Sequence, residues 1–483
     1  MTFVLIETKK AGAWSSLATL LTGNFITILD LFIVNVALPD IQRELHASNA
    51  DLQLIMVSYS VSYGAMLLNG ARLGDLYGRR RLFLFGISVF ALASLFCALA
   101  PSPWILIGAR AIQGIGAALL MPQVYTSLRL LFEEDKRRRA FAIMGAVQGI
   151  AGAASQVVGG SLISLNFGDL GWRLVFLINL PIALYPLVTG KWMIVETRAP
   201  VPARLDIRGA ILGTCALTLI LLPLTIGREY GWPWWSLIGP LLSLPMFAYF
   251  ASHEARLSQH GGVPLIDVSL FKMKRFVLGM LATFLFFSAI SSFSLSLTMM
   301  LQVGLGQSAL EAGTFFVPST IAFFAGSLLS APIEKRYGGR ALTFGMLAFA
   351  IGLLIAVLAG FAGSRDLGSL SISVVLQGLG QGIVIPLLLN LILGTVSDNE
   401  TGMASGIFTT MQAAGSSVGL TVVGVAFFSV LDRISNFPGS DVEPAAAYGD
   451  AFAVATICNL AAVALGLALF SQLQRSPLRP KER

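Results

Sequence analysis

The chain has 483 residues, of which 55% are hydrophobic and 12% charged, about half the ~25% charged fraction of a soluble globular domain. That composition excludes an ordinary soluble enzyme. The net charge of +7 would point to nucleic acid only as a basic patch on a soluble face, and here it is spread between apolar stretches.

Those stretches run about twenty residues each, enough to cross a hydrocarbon core about 30 Å thick at 1.5 Å per residue. The first six spans are predicted near 14–37, 52–70, 82–100, 104–128, 140–164 and 173–195, and two more near 208–227 and 234–252. The last six fall near 276–302, 312–332, 341–362, 370–394, 402–430 and 448–472. The first span is not read as a cleavable signal, because no small-residue cleavage pattern follows it and many more spans do. Each span is expected to be helical, since lipid offers the backbone no hydrogen-bond partner, and the short alternating segments of a β-barrel are absent.

Alternate connections differ sharply in Lys and Arg, with 26 on one side, 5 on the other and Arg110 inside a span. The positive-inside rule then places both termini and the 253–275 loop in the cytoplasm. "QGIGAALLMP" at 113–122 and "QGLGQGIVIP" at 377–386 repeat at an offset of 264, and Ala71–Leu82 with Ala331–Leu342 at 260. Two six-helix halves separated by two inserted spans account for those offsets. The expected domains are 1–200, 201–260 and 261–483. Internally repeated bundles build many secondary transporters.

Asp30 and Arg110 lie well inside predicted spans at matching depth. A charge in the bilayer costs at least about 2.5–3.5 kcal/mol, so it is rarely present without a partner or a role. The two are expected to pair, either as a permanent tie between helices or with Asp30 as a proton-exchanging carboxyl beside an arginine that stays charged. Gly78 and Arg79 mark an inner turn where Asp75 needs a cationic or helix-end partner, and Arg129 is available. Tyr59, Tyr63, Gln113, Gln148, Gln156, Gln377 and Gln412 are polar residues in apolar spans, suited to bonding between helices or to lining a cavity. Gly159 and Gly160 end a small-residue run that allows close helix approach. Cys97, Cys215 and Cys458 read as core fillers, and His46, His253 and His260 as solvated connecting residues; no metal site, cofactor or catalytic constellation is expected.

Four stretches carry a resemblance to a known family: "LDLFIVNVALP" at 29–39, "RLGDLYGRRR" at 72–81, "RAIQGIGAA" at 110–118 and "WRLVFLINLPI" at 172–182. They resemble the fourteen-helix drug:proton antiporters of the major facilitator superfamily. The resemblance implies an all-α integral membrane protein with two six-helix bundles plus two inserted helices. It also implies multidrug efflux by alternating access, with Asp30 and Arg110 in proton coupling, Asp75, Gly78, Arg79, Arg129, Gly159 and Gly160 in gating motifs, and no enzyme activity. The partners would be an amphipathic small molecule, protons and the bilayer of a cell (inner or plasma) membrane, with no nucleic acid and a monomeric chain. Ser155-Gln156 stands where the family's fifth-helix motif usually has Gly-Pro, and Phe32 where it commonly has a small hydroxyl residue. The alternatives are a dedicated exporter of a lipid or of one natural product, or a membrane-embedded enzyme or receptor.

Overall fold

The computed structural model describes residues 12–165, 167–197, 206–227, 231, 233–260, 264, 266–307, 309–361, 367–397, 400–435 and 443–475. Among them there is no β-strand, and fourteen helices are long and apolar enough to cross a membrane. They are α1 (Ala13–Leu45), α2 (Asn49–Tyr77), α3 (Arg79–Ala98), α4 (Pro103–Leu131), α5 (Glu134–Leu165), α6 (Gly171–Met193) and α7 (Ile207–Ile226). Then follow α8 (Trp234–Gln259), α9 (Lys274–Gly304), α10 (Glu311–Tyr337), α11 (Arg340–Phe361), α12 (Leu367–Leu393), α13 (Thr401–Ser435) and α14 (Pro444–Arg475).

Local chemistry sets several boundaries. Ser48 caps α2 by accepting from the Asp51 amide at 3.1 Å, while the Asp51 carboxylate accepts from the Ser48 amide at 2.9 Å, a reciprocal capping box. Gly78, at φ 100°, turns the chain from α2 into α3, a conformation that a Cβ disfavours. Helix α2 therefore runs seven residues past the expected end at 70, because backbone bonding continues through Arg72 and Asp75 although their charges end the apolar window. Helix α5 is unbroken through Ser155-Gln156, the position of the missing Gly-Pro.

The chain forms two compact units, Met1–Val268 with Ser397–Thr410, and Ser269–Val396 with Met411–Arg483. This division joins the two middle helices to the first unit. The expected junctions at 200/201 and 260/261 fall in or beside residues 198–205 and 261–263, outside the described residues. In the first unit α2 and α3 pack on α4, α1 on α5 and α6, and α7 on α2 and α8. Thr214 of α7 takes a 2.7 Å hydrogen bond from Asn69 of α2. Helix α8 carries exposed Leu237, Leu241, Leu242, Leu244 and Tyr249, an apolar face suited to lipid.

In the second unit α10 and α11 pack on α12, and α9 and α11 on α14. The repeated glycine acts at the tightest crossing of each unit. A methyl on Gly114 of α4 would lie 2.3 Å from the Tyr59 carbonyl oxygen of α2, and one on Gly378 of α12 would lie 2.0 Å from that of Ser319 of α10. Gly114→Val or Gly378→Val should each lower stability by at least the ~1–3 kcal/mol of an overpacked core. Thermal unfolding in detergent measures this, with Gly152→Ala as a control, since a methyl there meets nothing within 4 Å.

Candidate functional site

Asp30 sits midway along α1 with no exposed surface, and Arg110 on α4 is 1% exposed. The first unit brings them into contact, with Arg110 Nη1 donating to Asp30 Oδ2 at 2.5 Å. Gly114, one turn from Arg110, lets α4 approach α2 closely enough for Arg110 Nε to donate to the Ile55 carbonyl at 3.3 Å. The guanidinium lies 4.4 Å over the Tyr59 ring, which stacks on Tyr63. A buried guanidinium is thus held by a carboxylate, a carbonyl and an aromatic face, a combination its planar, weakly hydrated fork suits.

Three neutral groups complete the cluster. Gln113 Nε2 donates to Asp30 Oδ1 at 2.8 Å and to Ser94 Oγ of α3 at 2.7 Å, while Gln113 Oε1 accepts from Arg110 at 2.6 Å. Asn179 Nδ2 of α6 donates to Asp30 Oδ1 at 2.7 Å and to Ser94 Oγ at 3.2 Å. Asp30 only accepts hydrogen bonds here, the role of an ionised carboxylate.

Asn179 and Ser94 were not singled out from sequence. The available signal for Asn179 is its place in "WRLVFLINLPI", and the geometry explains that motif. Trp172 is buried and donates through Nε1 to Glu44 Oε2 of α1 at 2.7 Å, and Arg173 pairs with the other oxygen of Glu44. Val175 and Phe176 enter the core with Ile33 and Ala37 of α1. The start of α6 is thereby locked to the end of α1, and Asn179 is aimed at Asp30.

The other sequence candidates separate into distinct places. Asp75 and Arg79, both buried, pair at 2.5 Å. Asp75 faces the first turn of α13 within the same unit, where a methyl on Gly402 would lie 2.5 Å from both carboxylate oxygens; a helix N-terminus favours a negative charge. The cation found on Asp75 is thus Arg79 of the adjoining turn, with Arg129 half-buried in the last turn of α4. Gly159 meets Ile33 of α1, and a methyl on Gly160 would face open space. Gln148 is hydrogen-bonded to Tyr125. The Gln156 side chain lies outside the described residues. Phe32 is 41% exposed.

Gln377 and Gln412 belong to the second unit. There Gln377, the repeat counterpart of Gln113, donates to Ser373 at 3.0 Å, and Val374 occupies the counterpart of Arg110. Ser292 of α9 donates to Asn459 of α14 at 2.6 Å. Both of these hydrogen bonds join neutral groups, where the first unit has an ion pair.

His253 departs from its reading as a solvated connecting residue. It lies on α8, half-buried, and its Nε2 is 2.9 Å from Asp206 Oδ2, near buried Glu254. These three could offer ligand atoms to a metal, but they already serve other groups. Asp206 caps α7 through the Gly209 amide at 3.0 Å, Glu254 accepts from the Ile266 amide at 3.1 Å, and the Arg72 charge acts on Glu254. A hydrogen-bonded ion cluster accounts for them.

The sequence model of the Major Facilitator Superfamily matches residues 20–420. The chain is 35% identical over 424 residues to the "Probable actinorhodin transporter" of Streptomyces coelicolor, covering 87% of this chain and 73% of that one. It is 34% identical over 468 residues to the "Cephamycin export protein CmcT" of Amycolatopsis lactamdurans, covering 95% and 92%. In fold it resembles the crystal structure of the human organic anion transporter MFSD10, with a TM-score of 0.66 at 17% identity, covering 96% of this chain and 99% of that one.

Proposed function

Because the chain belongs to the Major Facilitator Superfamily and is a multi-pass membrane transporter, we propose that it exports lipophilic or amphipathic small molecules by alternating access, driven by protons that bind and leave Asp30. The observation that carries this reading is the buried Asp30–Arg110 pair with its ring of hydrogen-bond donors. A charge so deep in a span is costly and marks an ion or proton path by default, and a carboxyl whose surroundings change between two conformations can couple proton release to movement. Similarity to the "Probable actinorhodin transporter" and to the "Cephamycin export protein CmcT" favours one second reading, a dedicated exporter of a single natural product.

The test is transport by purified protein in liposomes under an imposed pH gradient, with a panel of dyes, quaternary ammonium compounds and lipids. Several should move uphill and stop when the gradient is collapsed. Uphill movement without a pH gradient would refute proton coupling, and acceptance of one compound alone would select the dedicated exporter.

We assign α7 and α8 as an inserted pair outside the two six-helix repeats, because the repeat offsets pass over them. Both repeats lie in one chain, so the working particle is proposed to be a monomer, which light scattering of the detergent-solubilised protein would check. The excess of Lys and Arg on one side supports cytoplasmic termini and a cytoplasmic 253–275 connection in a cell membrane. In a variant lacking Cys97, Cys215 and Cys458, Gln259→Cys should resist an impermeant maleimide in intact cells and react after permeabilisation. Labelling of intact cells would invert the topology.

A further inference from the structure

We infer that Asn179 is a positioning residue that reads the protonation state of Asp30 by turning its side-chain amide. The inference rests on the proposal that Asp30 carries the proton, and it follows from the donor and acceptor count around the carboxylate. Asp30 Oδ2 faces Arg110 Nη1, while Oδ1 faces the amide nitrogens of Gln113 and Asn179. A proton taken up from water turns one oxygen into a donor. On Oδ2 it would oppose a guanidinium that has no acceptor and does not deprotonate. On Oδ1 it would oppose two NH2 groups. Protonated Asp30 therefore fits only if one amide presents its oxygen instead.

The two amides are not equally able to do so. Gln113 is committed at both ends, since Oε1 accepts from Arg110 at 2.6 Å and Nε2 donates to Ser94 at 2.7 Å. Turning it would set its NH2 against the guanidinium. Asn179 is committed at one end: Oδ1 is buried and has no hydrogen-bond partner among the described residues. Its nitrogen bonds Asp30 at 2.7 Å and Ser94 at 3.2 Å. The two ends of an amide are nearly the same size, so a half-turn about its last side-chain bond needs no backbone movement. The turn brings Oδ1 to the new Asp30 proton and gives up the longer bond to Ser94, whose hydroxyl keeps Gln113 and its own bond to the Phe90 carbonyl at 2.9 Å.

Among the described residues, the other titratable or charged groups facing Asp30 are Arg110 from α4, Tyr59 from α2 and Cys97 from α3. Residues 140–165 of α5 contain no charge. Asn179 also begins the regular part of α6, Asn179–Met193, after the single turn Leu174–Leu177. A change of proton on α1 is thereby delivered to α6.

Difference infrared spectroscopy on the purified full-length protein, titrated with pH, tests this directly. In the unsubstituted protein a protonated-carboxyl band that Asp30→Asn removes should rise together with a shift of one Asn side-chain carbonyl band, identified by isotope-labelled asparagine. That second shift should vanish in Asn179→Leu, and in Asn179→Gln it should be replaced by the shift of a Gln side-chain carbonyl band, identified by isotope-labelled glutamine. In liposomes Asn179→Leu removes a bond to the ionised form and a weaker one to the protonated form, so the midpoint of the pH profile of exchange should move upward by somewhat under about one unit, the difference between a charged and a neutral hydrogen bond. The rate near neutral pH should fall about tenfold on the same basis, with partial recovery in Asn179→Gln. If the Asp30 band titrates without any Asn179 band, or if Asn179→Leu leaves the pH profile unmoved, the inference is overturned while the role of Asp30 stands. If no titrating band responds to Asp30→Asn, both fall together. Should Asn179→Leu not fold, the unsubstituted protein and Asn179→Gln still decide through the infrared titration.

Discussion

Asp30→Asn should reduce proton-driven uphill export by about a hundredfold or more, since among the described residues it removes the one carboxyl of a buried cluster whose arginine, amides and serine do not exchange protons. The substitution keeps size and an acceptor for Arg110 Nη1, so its cost should stay below the ~3–5 kcal/mol of breaking a buried ion pair outright. Folded protein should therefore be recovered. Substrate binding, measured by quenching on the same sample, should survive, because binding does not require the proton cycle. Normal uphill pumping by this variant under a pH gradient alone would make Asp30 a structural ion-pair residue.

Arg110→Ala should be harsher. It removes the partner of Asp30 Oδ2, of the Ile55 carbonyl and of Gln113 Oε1, and empties the space over the Tyr59 ring. An uncompensated buried carboxylate costs about 3–5 kcal/mol, to which the lost packing adds. The expected result is a poor yield of folded protein, a clearly lowered melting temperature and no transport. Arg110→Lys should fold and recover transport only in part, roughly tenfold below the unsubstituted rate, because a single ammonium cannot reach the carboxylate, the Ile55 carbonyl and the Gln113 oxygen together. A melting temperature and transport rate unchanged in Arg110→Ala would refute the role assigned to the pair.

Most of the helical architecture could be read from the chain because a bilayer imposes a length and an apolar composition on each crossing. The Asp30–Arg110 contact could be anticipated because two charges at equal depth in lipid need each other. What escaped was what lipid does not dictate. Asn179 and Ser94 are single neutral polar residues in apolar spans, and Asn179 meets Asp30 across 149 positions of sequence, a proximity that no local pattern encodes. Hydropathy places the end of α2 too early because it falls at Arg72 and Asp75, whereas backbone bonding continues to Tyr77. His253 reads as a connecting residue for the same reason: the apolar window closes before the helix does, and its partner Asp206 lies before the start of α7, 47 positions away.

The glycine crossings of the two units also bear on how such a chain can diversify. At positions 114 and 378 every other amino acid places at least a Cβ onto a carbonyl oxygen of the facing helix, so these sites have no neutral neighbours in sequence space. At Gly108, Gly152, Gly160 and Gly424 a Cβ meets nothing within 4 Å. Single substitutions can accumulate at such positions without disturbing the scaffold, so drift in this chain is channelled along open helix faces and withheld from the crossings that hold α2 against α4 and α10 against α12.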